Sequence, residues 1–425
     1  MKVALTGRWN HLVRLAAWLG LLVACVRSPE KRPDFLAWFR YHWRLLIWHF
    51  WILWRWKIWE NGSIEDYLGQ MARSRIKTFF PLAVFLQACP RPLVAVTERV
   101  DGLERFFPGG RLCCFKLDEE ETSRADLLIS WLHRDFGRVA SLARRSGQPV
   151  LLAEDAFLKS VLTVTLPGPQ RYKSNTAVFF DDLAYHYSAA RPSRLEMLLN
   201  SVDLGGEEVR RGAAIREKLV CNHLSKYNHQ PPLGENLGQP GREKVLVVDQ
   251  SFGDASVPNA LASTRTFWLM LKTALKENPA ADIIVKKHPD AIAREGASRR
   301  TSYFQGLKPE GRILPLTVEA DPYSVIEQVK AVYTVSSQMG LEALMAGKPV
   351  HVFGLPAYAG WSLTIDYLKC PRRTRKRTLD ELVFIIYGLY THYAAEGGHP
   401  MTAEEAIDRL IVLKDEYWQN IKGSK

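Results

Sequence analysis

Residues 331–354 read AVYTVSSQMGLEALMAGKPVHVFG, the stretch of the chain that decides the fold. Two short apolar runs, at 331–335 and 349–354, have the length and composition of buried strands. The residues between them, 338–347, have the length and composition of a helix. Strands that alternate with helices in this way are typical of a mostly parallel sheet, so the stretch predicts an α/β fold.

The same alternation extends outward along most of the chain. Further strands are predicted at 92–97, 125–131, 149–155, 178–182, 245–250 and 282–290. Further helices are predicted near 61–90, 135–146, 192–203, 260–277, 322–329, 379–394 and 402–421. A stretch rich in Pro, Gly and Asn at 227–243 predicts a linker. We therefore predict two α/β domains, 61–230 and 243–395, that enclose a cleft, followed by a C-terminal helix in 396–425.

The composition limits the class of protein. The 425 residues are 47% hydrophobic and 24% charged, which is typical of a globular chain and excludes disordered, collagen-like and coiled-coil proteins. The six Cys form no CxxC pair, which argues against a zinc knuckle and for a reducing compartment. The net charge of +12 favours an anionic partner. Nucleic acid is disfavoured because no helix-turn-helix, finger or RNP pattern is present.

The first 60 residues are basic and rich in Trp. They hold nine of the 13 Trp of the chain, and ten Lys or Arg against three acids. A bilayer span needs about 20 apolar residues, whereas the apolar run at 45–54 has ten and has cations on both sides. Because Trp prefers the headgroup level and cations attract anionic lipid, we predict a helical segment on a membrane surface. A helix buried against the protein itself and a true span are the alternatives.

Residues 1–25 allow a different interpretation. A basic start, an apolar run at 15–24 and the sequence Leu-Val-Ala-Cys at 22–25 resemble a lipoprotein signal with a lipid-modified Cys25. A second membrane-surface helix is the competing interpretation of the same residues.

Two polar motifs follow predicted strands of the second domain. Ser336 and Ser337 end a strand and open a helix, where hydroxyls and backbone N–H groups bind anions. A plain helix N-cap is the alternative. The second motif also ends a strand, and its members are Lys286, Lys287, His288 and Pro289. Because both motifs are expected at the same sheet edge, they predict a phosphate site.

Acidic and amide side chains occupy further strand ends. Glu154 and Asp155 end a strand of the first domain, where a carboxylate acts as base or nucleophile unless it is a solvated loop or cap residue. Gln250 and Asp254 follow the first strand of the second domain and are expected at its cleft. Glu342 lies in the helix after the Ser-Ser motif, where it would reach a nucleotide ribose or remain a solvated helix acid.

A dense basic run follows Cys370-Pro371. Its members are Arg372, Arg373, Arg375, Lys376 and Arg377. A run of like charge is most often solvated, and here a contact with anionic lipid is the alternative.

Six ordered stretches are more specific than any single motif. They are LLAEDAFLKSV (151–161), FFDDLAYHYSAARPSRLEMLLN (179–200), VLVVDQSFGDASV (245–257), NPAADIIVKKHPDA (278–291), VYTVSSQMGLEALMAGKPVHVFGLPAYAGWSLTID (332–366) and CPRRTRKRTLDELV (370–383). Together they resemble the bacterial capsule polysaccharide synthesis family of the KpsC/LipB type, the retaining β-Kdo transferases. The resemblance covers about 125–395 and excludes the Trp-rich segment.

The resemblance implies a GT-B-like α/β fold, in which two Rossmann-like domains face a cleft and use a CMP-sugar. The Trp-rich helical membrane-surface segment would be an addition at the N-terminus. Asp155 matches the family's acid at the donor sugar. The positions that match its nucleotide motifs are His288, Pro289, Ser336, Ser337, Gln250 and Asp254.

The implied reaction is transfer of Kdo from CMP-Kdo to a lipid-linked or glycan acceptor with retention. Asp155 would be the nucleophile, and the scheme requires neither a metal nor a cofactor beyond the donor. The alternatives are a transferase for another CMP-nonulosonate such as sialic acid, and a catalytically inactive scaffold of capsule assembly. Ala156 and Ser362, where the family pattern has Gly, would suit the scaffold.

The resemblance also implies where the protein works and with what. The expected location is peripheral, on the cytoplasmic face of the bacterial inner membrane. The expected partners are the CMP-sugar donor, the acceptor, the anionic membrane surface and a capsule assembly or export complex, without nucleic acid.

Overall fold

The structure is a computed structural model of the chain. It describes positions 82, 86 and 89 and residues 91–423. Within 91–423, the residues not described are 99, 115–118, 133–135, 147, 149, 164–165, 174–175 and 289–300. The Trp-rich segment 1–60, Cys25 and Pro289 lie outside the described residues. The predictions made for them therefore stay predictions.

The first of two compact units ends at Glu154 and also includes residues 201–204 and 397–399. In chain order its elements are β1 (Leu93–Val96), a 3-10 helix (Leu103–Phe106), β2 (Arg111–Cys114), α1 (Glu119–Arg124), β3 (Leu127–Trp131), α2 (Phe136–Ser146) and β4 (Val150–Asp155). The strands form a parallel sheet in the order β2-β1-β3-β4. Helix α2 is amphipathic, and its Val139 and Ala143 pack with Ala95 and Leu128 of the sheet.

The second unit holds most of the chain from Asp155 onward. In chain order its elements are a 3-10 helix (Gln170–Tyr172), β5 (Ala177–Asp181), α3 (Arg194–Ser201), α4 (Gly206–Cys221), β6 (Lys244–Val248), α5 (Ser256–Asn259), α6 (Thr264–Glu277), β7 (Asp282–Lys286), β8 (Ile313–Leu316), α7 (Pro322–Ile326), β9 (Ala331–Thr334), α8 (Gln338–Met345), β10 (Val350–Val352), β11 (Ile365–Asp366), α9 (Leu379–Val383), a π-helix (Phe384–Tyr390), β12 (Thr391–Ala394), β13 (Pro400–Met401) and α10 (Ala403–Gly423). The predicted domains 61–230 and 243–395 divide the chain at a different place and stay a prediction.

A six-stranded parallel sheet forms the core of the second unit. Its strand order is β11-β10-β9-β6-β7-β8. The central strands are apolar between their terminal residues because both of their faces are buried. Phe267 and Met270 of α6 pack onto this sheet. All six strands are parallel, so their carboxyl ends meet at one edge.

The predicted helix at 379–394 is wrong in its last part. Residues 379–390 are helical, but Thr391–Ala394 form β12, which runs antiparallel to β5 and to β13. All four residues of β12 are buried. Pairing with β5 therefore ends the helical run, because a distant partner strand satisfies these backbone groups.

Candidate functional site

Three predicted segments meet at the carboxyl edge of the six-stranded sheet. Strand β6 lies between β9 and β7, with Val247 opposite Tyr333 and Val248 opposite Lys286. Each of these strands runs directly into a segment that the motifs singled out. The sheet therefore brings the loops that carry Gln250, His288 and Ser336 together, as parallel topology requires.

Gln250, Ser256 and Ser336 form a triangle of hydrogen bonds at this edge. The Gln250 Oε1 atom accepts from the Ser336 backbone N–H at 3.1 Å, and its Nε2 donates to Ser336 Oγ at 3.1 Å and to Ser256 Oγ at 3.3 Å. The two serine Oγ atoms are 3.0 Å apart. Asp254 Oδ1 accepts from the Ser256 N–H at 2.8 Å and so holds the loop that presents Ser256. The result is a polar cluster just before the first residue of α8.

Ser337 caps α8 and is fixed by the GLPAYAGW segment. Its Oγ accepts from the Met339 N–H at 3.2 Å, so the N-cap alternative holds for this residue. The Tyr358 hydroxyl donates to Ser337 O at 2.6 Å. A Cβ at Gly340 would collide with that hydroxyl, so glycine is required for the tyrosine to reach the cap. The segment thus sets the position of the helix start, where the helix dipole favours an anion.

The Lys-Lys-His motif divides between the edge and the interior. His288 Nδ1 lies 3.0 Å from Ser251 Oγ, which fixes the half-buried ring beside the Gln250 loop. Lys287 is also half-buried, and its N–H donates to Leu316 O. Lys286 is 5% exposed, and burial lowers its pKa, an effect that the nearby charge of Glu342 partly offsets. His288 and Lys287 are therefore the members placed at the sheet edge.

Asp155 lies at the end of β4 between two lysines. Its Oδ2 atom is 2.7 Å from Lys159 Nζ and 3.8 Å from Lys226 Nζ. The Phe157 carbonyl in the same loop accepts from Nε2 of Gln338, the first residue of α8, at 2.7 Å. The loop of the predicted acid therefore touches the start of the helix that follows the Ser-Ser motif. Its neighbour Glu154 is half-buried and closes the first compact unit.

Glu342 is buried rather than solvated. It is 2% exposed, and its Oε1 accepts from Ser225 Oγ at 2.5 Å and from Gln338 Nε2 at 3.1 Å. Burial raises the pKa of this carboxyl to about 7. Gln338 thus joins the buried acid to the Asp155 loop. The predicted ribose contact stays a prediction, and the alternative of a solvated helix acid is wrong.

We expect stability to fall by on the order of 3 kcal/mol between about pH 5 and pH 8 relative to a Glu342→Gln variant. The raised pKa means that the folded protein binds more protons than the unfolded chain between 4.5 and about 7. Stability is therefore lost as pH rises through that window. Urea unfolding of both proteins across this range measures the difference.

Subtracting the free energy of unfolding of Glu342→Gln from that of the unchanged protein at each pH removes the contributions of the other titrating groups. Asp181, whose pKa burial raises to about 6, acts in the same direction as Glu342. His186, whose pKa burial lowers to about 3, acts in the opposite direction. Parallel pH profiles for the two proteins would contradict a buried, proton-binding Glu342.

The basic run after Cys370 is largely structural. Arg372 and Arg373 both pair with the buried Glu196, at 2.8 and 3.1 Å. Arg373 also donates to the carbonyls of Pro356 and Ala359, which belong to the GLPAYAGW segment. Arg377 is 4% exposed and donates to carbonyls of α3. For Arg373 and Arg377, both solvation and lipid contact are wrong expectations, because their buried guanidinium groups bind the protein itself. Arg372 pairs with Glu196 but is exposed, so solvation holds for this residue and its lipid contact stays a prediction.

Two of the departures from the family pattern, Ala156 and Ser362, fit the local backbone. Ala156 is fully buried and its N–H donates to Ala177 O. Ser362 has a φ of 67°, in the left-handed region that favours glycine. The usual glycine at this position is therefore explained by the backbone, and serine adopts the same conformation at a cost.

We expect Ser362→Gly to raise the free energy of unfolding by about 0.5–1 kcal/mol, because it removes the strain of a left-handed serine. Thermal and urea unfolding measure the gain. Gly360 has a φ of 86°, and Gly360→Ser serves as the reverse control, with the opposite sign expected. An unchanged or lowered stability of Ser362→Gly would contradict the strain.

Sequence reasoning missed four residues of the site, namely Lys159, Lys226, Ser225 and Ser256. Of these, only Lys159 could have been found, because its i+4 spacing from Asp155 is visible in the sequence. Lys226, Ser225 and Ser256 reach the site through loops whose partners lie far along the chain. Only the folded structure shows that these polar groups belong to one site.

Metal binding and membrane crossing can be assessed only for the described part of the chain. Among its residues, no three or more His, Cys, Asp or Glu side chains are placed to hold a metal ion. Within the same residues, every helix is too short or too polar to cross a bilayer.

Comparison with known proteins assigns the family. Residues 132–396 match the family model described as capsule polysaccharide biosynthesis protein. Capsule polysaccharide modification protein LipA of Neisseria meningitidis serogroup B is 33% identical over 333 residues, which cover 75% of this chain and 45% of LipA. The lipopolysaccharide-processing protein LpsZ of Rhizobium meliloti is 33% identical, over 68% of this chain and 64% of LpsZ. The chain thus spans about half the length of LipA.

Two solved structures share the fold. Thermosulfurimonas dismutans KpsC, beta Kdo 2,4 transferase, is 35% identical with a TM-score of 0.66, over 75% of this chain and 97% of that one. The KpsC beta Kdo 2,7 transferase of the same organism is 26% identical with a TM-score of 0.56, over 76% and 99%. The predicted α/β, GT-B-like fold class and the sequence resemblance are confirmed. The chain belongs to the capsule polysaccharide biosynthesis protein family.

Proposed function

We propose that the chain is a glycosyltransferase that moves Kdo from CMP-Kdo to a lipid-linked or glycan acceptor in capsule or surface polysaccharide synthesis. The observation that carries the proposal is the 2.7 Å hydrogen bond from Gln338 Nε2 to Phe157 O. It joins the loop of a carboxylate to the start of a helix that is preceded by a polar cluster. Sugar transfer from a nucleotide requires a carboxylate and an anion-binding group in one site, and this contact links the loop that carries Asp155 to the helix start.

The nucleotide phosphate is assigned to the start of α8. Ser336 and His288 supply hydrogen-bonding groups there, Gln250 orients the Ser336 hydroxyl, and Lys287 supplies a cation at the same edge. The helix dipole adds a partial positive charge. Such groups stabilise the charge that develops on a departing CMP, because they are already oriented before the reaction.

Asp155 is assigned the nucleophilic role. Its carboxylate attacks the anomeric carbon of Kdo as the bond to the CMP oxygen breaks, which gives a glycosyl-enzyme. The acceptor hydroxyl then attacks that carbon, loses its proton and releases the Asp155 carboxylate. Two displacements restore the original configuration, so the product retains it. Lys159, at 2.7 Å, holds the carboxylate in place.

The proposed location is the cytoplasmic face of the bacterial inner membrane. The support is the cation- and Trp-rich composition of residues 1–60, together with an acceptor that would be lipid-linked. A capsule assembly or export complex is the proposed further partner. Removal of residues 1–60 tests the anchor by the fraction of protein that pellets with membranes.

The nucleotide site is tested by calorimetric titration with CMP. Ser336→Ala should weaken CMP binding by about ten- to a hundredfold, because it removes a hydrogen bond to a charged phosphate. Thr378→Ala removes an N-cap hydroxyl on α9 and serves as the matched control, with unchanged CMP affinity expected. Equal affinities for the two variants would exclude Ser336 from the phosphate site.

The donor is tested by CMP release from CMP-Kdo and from CMP-sialic acid. The proposal expects rapid release from CMP-Kdo. Preference for CMP-sialic acid would assign a different nonulosonate. Tight CMP binding without release from either donor, in the presence of a glycan acceptor, would favour the inactive scaffold.

A further inference from the structure

Three of the largest exposed apolar side chains lie within nine residues of each other. Leu261, Trp268 and Leu269 are 59%, 48% and 55% exposed. Large apolar groups that cluster on a surface mark a contact with another molecule or with a membrane. This cluster lies on the six-stranded part of the second unit, outside the candidate site.

Helix α6 displays Trp268 and Leu269 of this cluster on its outer face, and Leu261 precedes the helix in the chain. Its inner face is buried in the core through Phe267, Met270, Leu271 and Ala274. The helical period places the exposed positions on the opposite side. We define the α6 outer face as the exposed helical positions Arg265, Trp268, Leu269, Lys272 and Lys276, together with the exposed Leu261 that precedes the helix in the chain.

The polar members of the α6 outer face are all cations. Arg265, Lys272 and Lys276 are exposed. None of them takes part in an ion pair between described residues. The face therefore carries three positive charges, of which only that of Lys276 interacts with a neighbouring acid of the helix, Glu277, and it is complementary to an anionic surface.

Leu261 is held in a conformation that leucine normally avoids. Its φ is 59°, which is left-handed, and such a backbone is rare for a side chain of this size. In the folded protein Leu261 keeps this strained backbone although its side chain is more than half exposed. A leucine that is strained and yet exposed indicates that its apolar side chain has a use at the surface.

We propose that the α6 outer face is a membrane-contact surface that docks on anionic phospholipid bilayers. Trp268 would lie at the headgroup level, Leu261 and Leu269 would enter the acyl boundary, and the three cations would attract the lipid phosphates. The cations also discriminate between occupants. Three exposed cations with no acid on the face favour an anionic bilayer, which presents negative charge over the whole area of contact.

The face begins near the ligand edge of the sheet. Ala260 precedes Leu261, and its carbonyl accepts from the Leu355 N–H at 3.0 Å. The next N–H upstream, that of Gly354, bonds to Val335 O, next to Ser336. Docking through Leu261 would therefore bring the bilayer to the sheet edge that carries the polar cluster. The surface is distinct from residues 1–60 and needs no assumption about the reaction.

The test is hydroxyl-radical footprinting of the full chain, with the oxidation rate of Trp268 read by mass spectrometry. The protein is compared without lipid, with phosphatidylcholine vesicles, and with vesicles that also contain phosphatidylglycerol. One variant reverses the charge of all three cations (Arg265→Glu, Lys272→Glu, Lys276→Glu). A second is Leu261→Asn, because asparagine tolerates the left-handed backbone and so removes the leucine without adding strain. Val412→Ser removes an apolar group of 57% exposure on α10 and is the matched control.

The proposal expects Trp268 oxidation to slow on phosphatidylglycerol vesicles and not on phosphatidylcholine alone. The charge-reversed variant should lose this protection. Leu261→Asn should weaken it while its melting temperature stays equal or rises, and Val412→Ser should keep it.

Four results would overturn the proposal. One is unchanged Trp268 oxidation while the protein floats with the vesicles, which would move the contact to another surface. Another is absence of flotation altogether. A third is equal protection on neutral lipid. The fourth is protection that grows with protein concentration in the absence of lipid, which would assign the face to a second copy of the chain.

Discussion

Asp155→Asn is expected to abolish sugar transfer while the protein still binds CMP. Asparagine has the same shape and still offers an oxygen to Lys159, which lies 2.7 Å away, but it is not a nucleophile at neutral pH. We expect the transfer rate to fall by at least about a thousandfold. CMP affinity should stay close to that of the unchanged protein, because the side chains that are proposed to bind the CMP phosphate lie on other loops.

Rates of transfer and calorimetric CMP affinities are measured side by side on the same preparations. Asp380→Asn is the matched control, since this carboxylate pairs at 2.7 Å with Arg216 and is not a member of the polar cluster. Its transfer rate should be unchanged. Transfer by Asp155→Asn within about tenfold of the unchanged protein would remove Asp155 from the nucleophilic role. Equal melting temperatures for the variants separate chemistry from folding.

Glu196→Gln is expected to lower the free energy of unfolding by about 3–5 kcal/mol. The side chain of Glu196 is 4% exposed and that of its partner Arg373 is 2% exposed. Neutralising the acid leaves a buried guanidinium without its charge partner, which is more costly than the ion pair is favourable. Arg373 also fixes the GLPAYAGW segment, so the start of α8 should loosen as well.

Urea unfolding measures this loss. Glu404→Gln is the control, because Glu404 forms the same kind of pair with Arg211 at 2.7 Å but with side chains 27% and 38% exposed. An exposed pair contributes about 1 kcal/mol or less. Equal losses in the two variants would contradict a structural role for the buried pair.

The parts of the fold that could be predicted are those with a local signal. Strands β6, β7 and β9 are buried on both faces, so they appear as continuous apolar runs. The edge strands β8 and β11 do not appear in the sequence as continuous apolar runs. Pro315 interrupts β8, which an edge position allows, and β11 has only two residues. The strand at 391–394 was missed because its partner β5 lies far away in the chain.

The residues of the candidate site likewise fall into a predictable group and an unpredictable one. Gln250, His288 and Ser336 were predicted to meet because each follows a strand of one parallel sheet, and the structure places them at its edge. Their partners were not predictable. Tyr358 reaches the helix cap across a loop, and Glu196 takes up two arginines that the sequence presents as a surface charge run. Polar groups that pair across long distances in the chain leave no repeating pattern in the sequence, so these contacts could not be predicted.

The measurement that tests the central claim most directly is the structure of the product formed from CMP-Kdo and a lipid-linked glycan acceptor. We predict that mass spectrometry will detect addition of a Kdo residue and that NMR will assign it the β configuration, which is retention. The product should be absent with Asp155→Asn. Addition of a different sugar, an α-linked Kdo, or no product from a protein that binds CMP-Kdo would contradict the account.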